Sequence, residues 1–385
     1  MEAYLDNAAT TRCSEKALQA VTQAMTETYG NPSSMHRKGM EAEQIVKAAR
    51  ETVAKTLRVR EKEIIFTSGG TESNNLAIFG SAEANRRAGK RILTTQVEHP
   101  AVRNPMKLLA ERGYEVIFLP VDSTGLVSLR ALREAANEET ILLSMMHVNN
   151  EIGTVEPVEE AAKILRENSP RAVFHVDAIQ SYGKFPLSPE KNGIDLLSVS
   201  GHKIHGPKGV GFLYIREKTK VLAQILGGGQ QWGMRSGTEN VPGIAGLAAA
   251  AEESCRDLSE KAARIRTLRT QLLQGLQGLE GIRINGGQTG ETASPYIASV
   301  SVSGVRSEVL LHALESEGVY VSAGSACSSN KPAVSETLKA IGLPAEYLSS
   351  TVRFSFSAQT TEEEVALAVD AMQRIVPKLR KYTRE

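Results

Sequence analysis

The sequence predicts an α/β fold built on a mainly parallel, seven-stranded sheet with helices on both faces, and three observations lead there. Short apolar, β-branched runs recur between residues 63 and 215, stretches of helical periodicity separate several of them, and polar residues suited to ligand chemistry stand just past their carboxyl ends. Buried strands alternating with helices form a parallel sheet covered on both sides, and such sheets gather ligands at the carboxyl ends of their strands.

Taken in order, the expected strands are 63–67, 91–95, 115–119, 141–146, 172–176, 196–199 and 211–215. Each is short, with no Asp, Glu, Lys or Arg in its interior, as a strand buried on both faces requires. Helical periodicity marks 130–137 and 158–167 among the intervals. After residue 240 the texture changes. An Ala- and charge-rich stretch, 243–279, reads as one or two helices, followed by a strand at 297–302, a helix at 307–318, a Gly/Ser-rich loop at 322–330, a strand at 352–357 and a terminal helix from Thr361. That is a smaller α+β unit. The expected division is a large ligand-binding domain, 13–257, and a small domain made of 1–12 and 258–385.

Composition narrows the function classes. The 385 residues carry 45 Lys+Arg against 44 Asp+Glu, a formal charge of +1. This provides no basic field for nucleic acid or anionic lipid. The longest apolar runs fall far below the roughly 20 residues of a membrane helix, and the first residues lack the basic and apolar regions of a signal peptide. Cytoplasm is the expected compartment. Three cysteines, Cys13, Cys255 and Cys327, with no CxxC pair, indicate neither a disulfide framework nor a zinc site.

One lysine dominates the chemistry. Ser200-Gly201-His202-Lys203 follows an apolar strand, and Asp177 ends Phe174-His175-Val176-Asp177. A lysine amine in a dry pocket or near another cation becomes a nucleophile toward a carbonyl cofactor. Aspartate is the natural partner of the protonated ring nitrogen of pyridoxal phosphate (PLP), because that ion pair keeps the ring an electron sink. Thr67-Ser68-Gly69-Gly70-Thr71-Glu72 turns from a strand into a helix, where glycines and free amides make either a capped turn or a phosphate cup. His99 stands just past a strand end, as an ordinary loop residue or as a ring that stacks on a flat cofactor and shuttles protons. Asn149 and Asn150 end another strand with two amides, in a turn or around an oxygen ligand. Cys13 and Cys255 read as structural thiols in helices, whereas Cys327 lies in the small-residue stretch 322–330, where an exposed thiol invites a chemical role.

Ten segments recur in order at the spacing of one known family. They include Tyr4-Leu5-Asp6-Asn7-Ala8-Ala9-Thr10-Thr11, Gly30-Asn31-Pro32-Ser33-Ser34, Gly70-Thr71-Glu72-Ser73-Asn74, Glu98-His99, Val148-Asn149-Asn150-Glu151-Ile152-Gly153, Val176-Asp177-Ala178-Ile179-Gln180, Ser200-Gly201-His202-Lys203, Arg235-Ser236-Gly237-Thr238, Gly324-Ser325-Ala326-Cys327 and Val352-Arg353-Phe354-Ser355. The chain resembles the NifS/IscS-like cysteine desulfurases of the class-V aminotransferase family, which are fold-type I PLP enzymes.

The resemblance implies that Lys203 holds PLP covalently and later removes the substrate Cα proton. Asp177 would pair with the ring nitrogen, Gln180 would bond the ring hydroxyl, and His99 would stack on the ring and move protons. Gly70, Thr71, Ser200 and His202 would hold the phosphate, with Thr238 reaching in from the second subunit of a homodimer. Asn150, Arg353 and Asn31 would bind substrate, with Asn150 also touching the cofactor. Cys327 would take sulfur from L-cysteine as a persulfide, leave alanine, and pass the sulfur to an acceptor such as an iron-sulfur scaffold, with Cys327 also a candidate transient cluster ligand. Segment 328–337 is a residue or two shorter than in iron-sulfur assembly members, which leaves the acceptor open. A selenocysteine lyase, a PLP transaminase and a non-catalytic sulfur-carrier scaffold stay open as alternatives.

Overall fold

The computed structural model describes residues 2–287, 290–323 and 334–382. Its large sheet has seven strands in the order Ile64–Thr67, Gly211–Ile215, Leu196–Ser200, Val173–Asp177, Thr140–Met146, Arg91–Thr95, Glu115–Leu119. Gly211–Ile215 runs antiparallel to both neighbours and the other pairings are parallel. The expected strands are these, with no end displaced by more than one residue.

Strand alternation sorts the sheet's side chains onto two faces. Leu143, Phe174, Leu197 and Phe212 enter one core, and their chain neighbours Leu142, Val173, Leu196 and Leu213 enter another. Helices Glu15–Thr26, Arg37–Leu57, Leu129–Ala135, Val158–Asn168 and Val241–Ser254 cover the first face, and Gly70–Asn85 and Pro100–Glu111 the second. Arg37–Leu57 is absent from the expectations above, although Ala42, Val46, Ala49, Val53 and Leu57 recur at helical spacing on its buried side.

Topology makes the crevice. From Arg91–Thr95 the chain steps outward to the edge strand Glu115–Leu119, then returns to the other side of Arg91–Thr95 as Thr140–Met146. Where the direction of winding reverses, connections leave to opposite sides and a cleft opens at the carboxyl ends.

A second core joins Ala3 and Leu5 to Ile265, Leu268, Val300, Phe354 and Met372. Its antiparallel sheet has the order Ser322–Ala323, Thr351–Ser355, Ile297–Val302, Ile282–Asn285, with helices Leu258–Leu276, Ser307–Ser316 and Glu362–Tyr382 contributing to the same core. Ala3–Tyr4 pairs with Val319–Tyr320, so the first residues fold with the last third of the chain. Of the one or two helices expected in the stretch 243–279 the structure has two, Val241–Ser254 and Leu258–Leu276, because Asp257 adopts φ 49° and a left-handed residue breaks the helical ladder. One expectation needs correction. The expected loop at 322–330 begins as a strand, since Ser322 and Ala323 pair with Arg353 and Val352.

Candidate active site

A cleft of about 420 Å³ opens at the carboxyl ends of the large sheet. One wall is the turn between Ile64–Thr67 and Gly70–Asn85. Gly69 adopts φ 148° and ψ −174°, a conformation essentially confined to glycine. A Cβ on Gly70 would lie 2.2 Å from Ile179 Cδ1 and 2.9 Å from its Cγ1, so the turn nests closely beside the residues that follow Asp177. No side chain caps this helix, so its first amides keep donor capacity, and Ser200 and His202 line the same cleft. Burial, with Lys203, Lys208 and Lys184 nearby, pushes His202 down to about 4, which makes it a neutral hydrogen-bonding group at pH 7.

Asp177 forms the floor. Its Oδ2 accepts from Asn74 Nδ2 at 2.8 Å and its Oδ1 from Ile179 N at 3.0 Å. Burial pushes its pKa up, against the opposing pull of those bonds and of His99 and Lys203, so a cationic ligand nitrogen would relieve an unfavourable charge. Lys203 follows Leu196–Ser200 in a short 3₁₀ turn, and its Nζ donates to the carbonyls of Ala8 and Ala9 at 2.6 and 2.7 Å. The N-terminal segment therefore crosses the cleft and holds the amine in place.

His99 caps Pro100–Glu111, accepting the Ala101 N–H at Nδ1 over 3.1 Å. Burial lowers its pKa, so the neutral ring carries its proton on Nε2. Arg353, 5 % exposed, donates from Nη1 to the Asn150 carbonyl at 2.7 Å and from Nη2 to Asp6 Oδ1 at 2.9 Å, while its buried Nε has no partner among the described residues. Asn150 and Gln180 complete the lining, Gln180 donating from Nε2 to the Ala8 carbonyl at 2.9 Å.

The structure thus gathers Gly70, Thr71, His99, Asn150, Asp177, Gln180, Ser200, His202, Lys203 and Arg353 around one cavity. Asn149 does not serve as a ligand group: its amide is spent on Val97, Met146, Glu151 and Ile152. Thr238 and Asn31 are exposed and outside the cavity lining, Asn31 accepting the Ser33 N–H in a turn. Cys327 lies outside the described residues. Cys13, expected to open the first helix, stands just before Glu15–Thr26, which Ser14 caps, and Cys255, expected within a helix, closes Val241–Ser254 as its last cap.

Asn74, Asp6 and Glu98 escaped assignment from sequence. Glu98 is buried, accepts from Thr95 Oγ1 and Met146 N, leaves Oε2 without a partner, and is pushed up to about 8 mainly by burial. It is therefore a carboxyl held neutral at pH 7 near Asp177. The signal was present only as adjacency to His99 or to the phosphate turn; the contacts of Asn74 and Asp6 span 103 and 347 residues.

The donor set fits PLP: an amine for its aldehyde, a buried carboxylate for its ring nitrogen, and an uncapped helix start with a hydroxyl and an imidazole for its phosphate. The aminotransferase class-V sequence profile matches residues 3–367. A cysteine desulfurase IscS of Dictyoglomus turgidum is 42% identical over 380 residues, spanning 98% of this chain and 95% of that one. A solved NifS-like protein superposes with a TM-score of 0.93 at 40% identity, covering 98% of this chain and all of its own. A structure described as SspA in complex with cysteine superposes at 0.81, with 32% identity over 93% of this chain and all of that one. Shared along nearly the whole length, these features make the chain a member of the aminotransferase class-V family, whose enzymes work with PLP.

Proposed function

We infer that the chain is a PLP-dependent cysteine desulfurase, converting L-cysteine to L-alanine and transferring the sulfur through a persulfide on Cys327. The observation that carries this reading is that Lys203, Asp177 and Arg353 line one cleft. The relatives named for cysteine desulfurase, and the one solved with cysteine, support the substrate. The sulfur serves iron-sulfur cluster assembly or a related thio-cofactor route, as the IscS relatives' names support.

When bound, PLP supplies an electron sink for the carbanion at the substrate Cα. The rest falls to the chain. Lys203 Nζ anchors the cofactor, yields its place to the substrate amine, and then accepts the Cα proton. Asp177 would hold a proton at the ring nitrogen, and Gln180 would donate to the ring oxygen. Arg353 receives the substrate carboxylate through a forked contact, with Asn150 beside it. His99 Nε2–H is the proton shuttle, its Nδ1 being occupied by the Ala101 amide. The Cys327 thiolate attacks the substrate sulfur: an S–S bond forms as the Cβ–S bond breaks, and the carbon skeleton keeps the electron pair and leaves, protonated, as alanine.

A homodimer completes this reading, with Thr238 closing the partner's phosphate site. Thr238 is exposed and outside its own cleft, and the nearby Leu226 and Trp232, with Met25, Tyr29 and Met35, are each more than half exposed. The domain division at 13–257 against 1–12 with 258–385 draws support from the separate cores. No helix among the described residues is long and apolar enough to cross a membrane. We place the enzyme in the cytoplasm, where a thiol that cycles through a persulfide is kept reduced. The deciding experiment is substitution of each cysteine. Cys327→Ser keeps the yellow cofactor and cysteine binding but drops sulfide release to background, whereas Cys13→Ser and Cys255→Ser release sulfide and alanine in equal amounts. Keto-acid formation, or an essential Cys13 or Cys255, would overturn the reading.

A further inference from the structure

Behind Lys203 lies a second hollow of about 230 Å³, and Lys203 lines both this hollow and the front cleft. Lys184 lines the rear hollow as well, at 8 % exposure. Its Nζ donates to Gln180 Oε1 at 3.2 Å and lies 5.7 Å from the Tyr296 ring centroid, and among the described residues no carboxylate pairs with it. A buried ammonium without a counter-charge is costly to keep. Burial, with the neighbouring cations Lys203 and Arg353, pushes its pKa down to about 7, so Lys184 is an ammonium below that pH.

The bonding pattern suggests what the cost maintains. Gln180 Nε2 donates to the Ala8 carbonyl, which also accepts Lys203 Nζ, while Gln180 Oε1 faces Lys184. While protonated, Lys184 offers donors only, so turning the amide over would place NH₂ against NH₃⁺ and Oε1 against the Ala8 carbonyl oxygen. Protonated Lys184 thereby reinforces the orientation that the Ala8 carbonyl also selects, with the N–H edge of Gln180 toward Ala8 and the front cleft. We propose that Lys184 is a positioning residue: from behind the site it locks the Gln180 amide as a donor toward the phenolic oxygen of PLP. This deepens the functional reading above and rests on its placement of Gln180 at that oxygen.

The test measures binding to cofactor-free protein by equilibrium dialysis, using PLP and its 3-deoxy analogue, which lacks the phenolic oxygen. Wild type should prefer PLP. Lys184→Met should weaken PLP about tenfold, the worth of one hydrogen bond in this setting, and leave the 3-deoxy analogue unchanged, with Lys184→Arg close to wild type. On a Gln180→Ala background, Lys184→Met should add nothing. Equal losses for both ligands, or a loss that persists without Gln180, would show a merely structural lysine and overturn the proposal. Should Lys184→Met fail to fold, Lys184→Gln, whose amide oxygen permits the flip, should show the same selective loss of PLP preference. A wild-type chain that binds both ligands equally would instead overturn the Gln180 contact, and the positioning role with it.

Discussion

The two ends of the large sheet carry similar residues in opposite states. Asp177 closes strand Val173–Asp177 at the carboxyl edge, and Asp195 precedes the neighbouring parallel strand Leu196–Ser200 at the amino edge. Asp195 is spent on structure: it accepts the Phe174 N–H at 2.8 Å and pairs with Arg166 and Arg216. Asp177 receives only the uncharged donors Asn74 and Ile179 and faces a cavity. The amino edge also has a hollow, about 530 Å³, larger than the cleft at the other end. Size therefore does not identify the site. Unspent capacity does: the uncapped helix start, Arg353 Nε and Glu98 Oε2 at the carboxyl edge, against Arg216 Nε alone among the orphaned atoms lining the amino-edge hollow.

Substitutions can break this contrast. The largest effect is expected at the carboxyl edge, where Lys203→Ala should remove the borohydride-reducible PLP adduct and lower turnover by about 10⁴-fold, since two steps use the same amine. An adduct on another lysine would move the site. Next comes the aspartate pair. Asp177→Asn should cost turnover roughly 10²- to 10³-fold by weakening the charge opposite the ring nitrogen, with little change in unfolding. Asp195→Asn should do the reverse, losing about 1–3 kcal/mol in denaturant unfolding while activity of the folded enzyme persists. If Asp195→Asn abolished activity at full stability, the two edges would not differ as described.

The smallest effect sharpens the comparison by pH. Glu156 is buried, accepts only the Val127 N–H among the described residues, and is pushed up to about 8, chiefly by burial. A carboxyl raised in the folded state binds its proton more tightly there, so its contribution is complete below its unfolded value of 4.5 and is lost as pH rises toward 8. Glu156→Gln should therefore gain on wild type by a few degrees in Tm between pH 5.5 and pH 8. An unchanged difference across that range would mean that Glu156 is ionised in the folded protein.

Much of this was legible in sequence because strands buried on both faces are short uncharged runs, and all seven were found within one residue of their ends. Lys203, Asp177 and His99 were legible because each stands at the end of such a run, where a parallel sheet exposes its ligands. The helix Arg37–Leu57 was legible too, through its Ala42, Val46, Ala49 and Val53 spacing, and went unassigned. The strands Ala3–Tyr4, Val319–Tyr320 and Ile282–Asn285 were not, since two to four residues carry too little periodicity to signal a strand.

By itself, then, the sequence determined the layered α/β plan, the order of the strands along the chain, and which residue types end them, because burial pattern and turn chemistry are local properties. Only the tertiary structure decided that the N-terminal carbonyls of Ala8 and Ala9 hold Lys203, that Asn74 steadies Asp177, that Asp6 occupies Arg353, and that Lys184 stands behind Gln180. Apart from Lys184, these contacts join residues far apart in sequence, and even Lys184, four residues from Gln180, lies 5.7 Å from the ring of Tyr296 in the second core. A hydrogen bond between distant residues leaves no periodic trace in either segment; it exists only once packing has brought both to one place and excluded the water that would otherwise satisfy them.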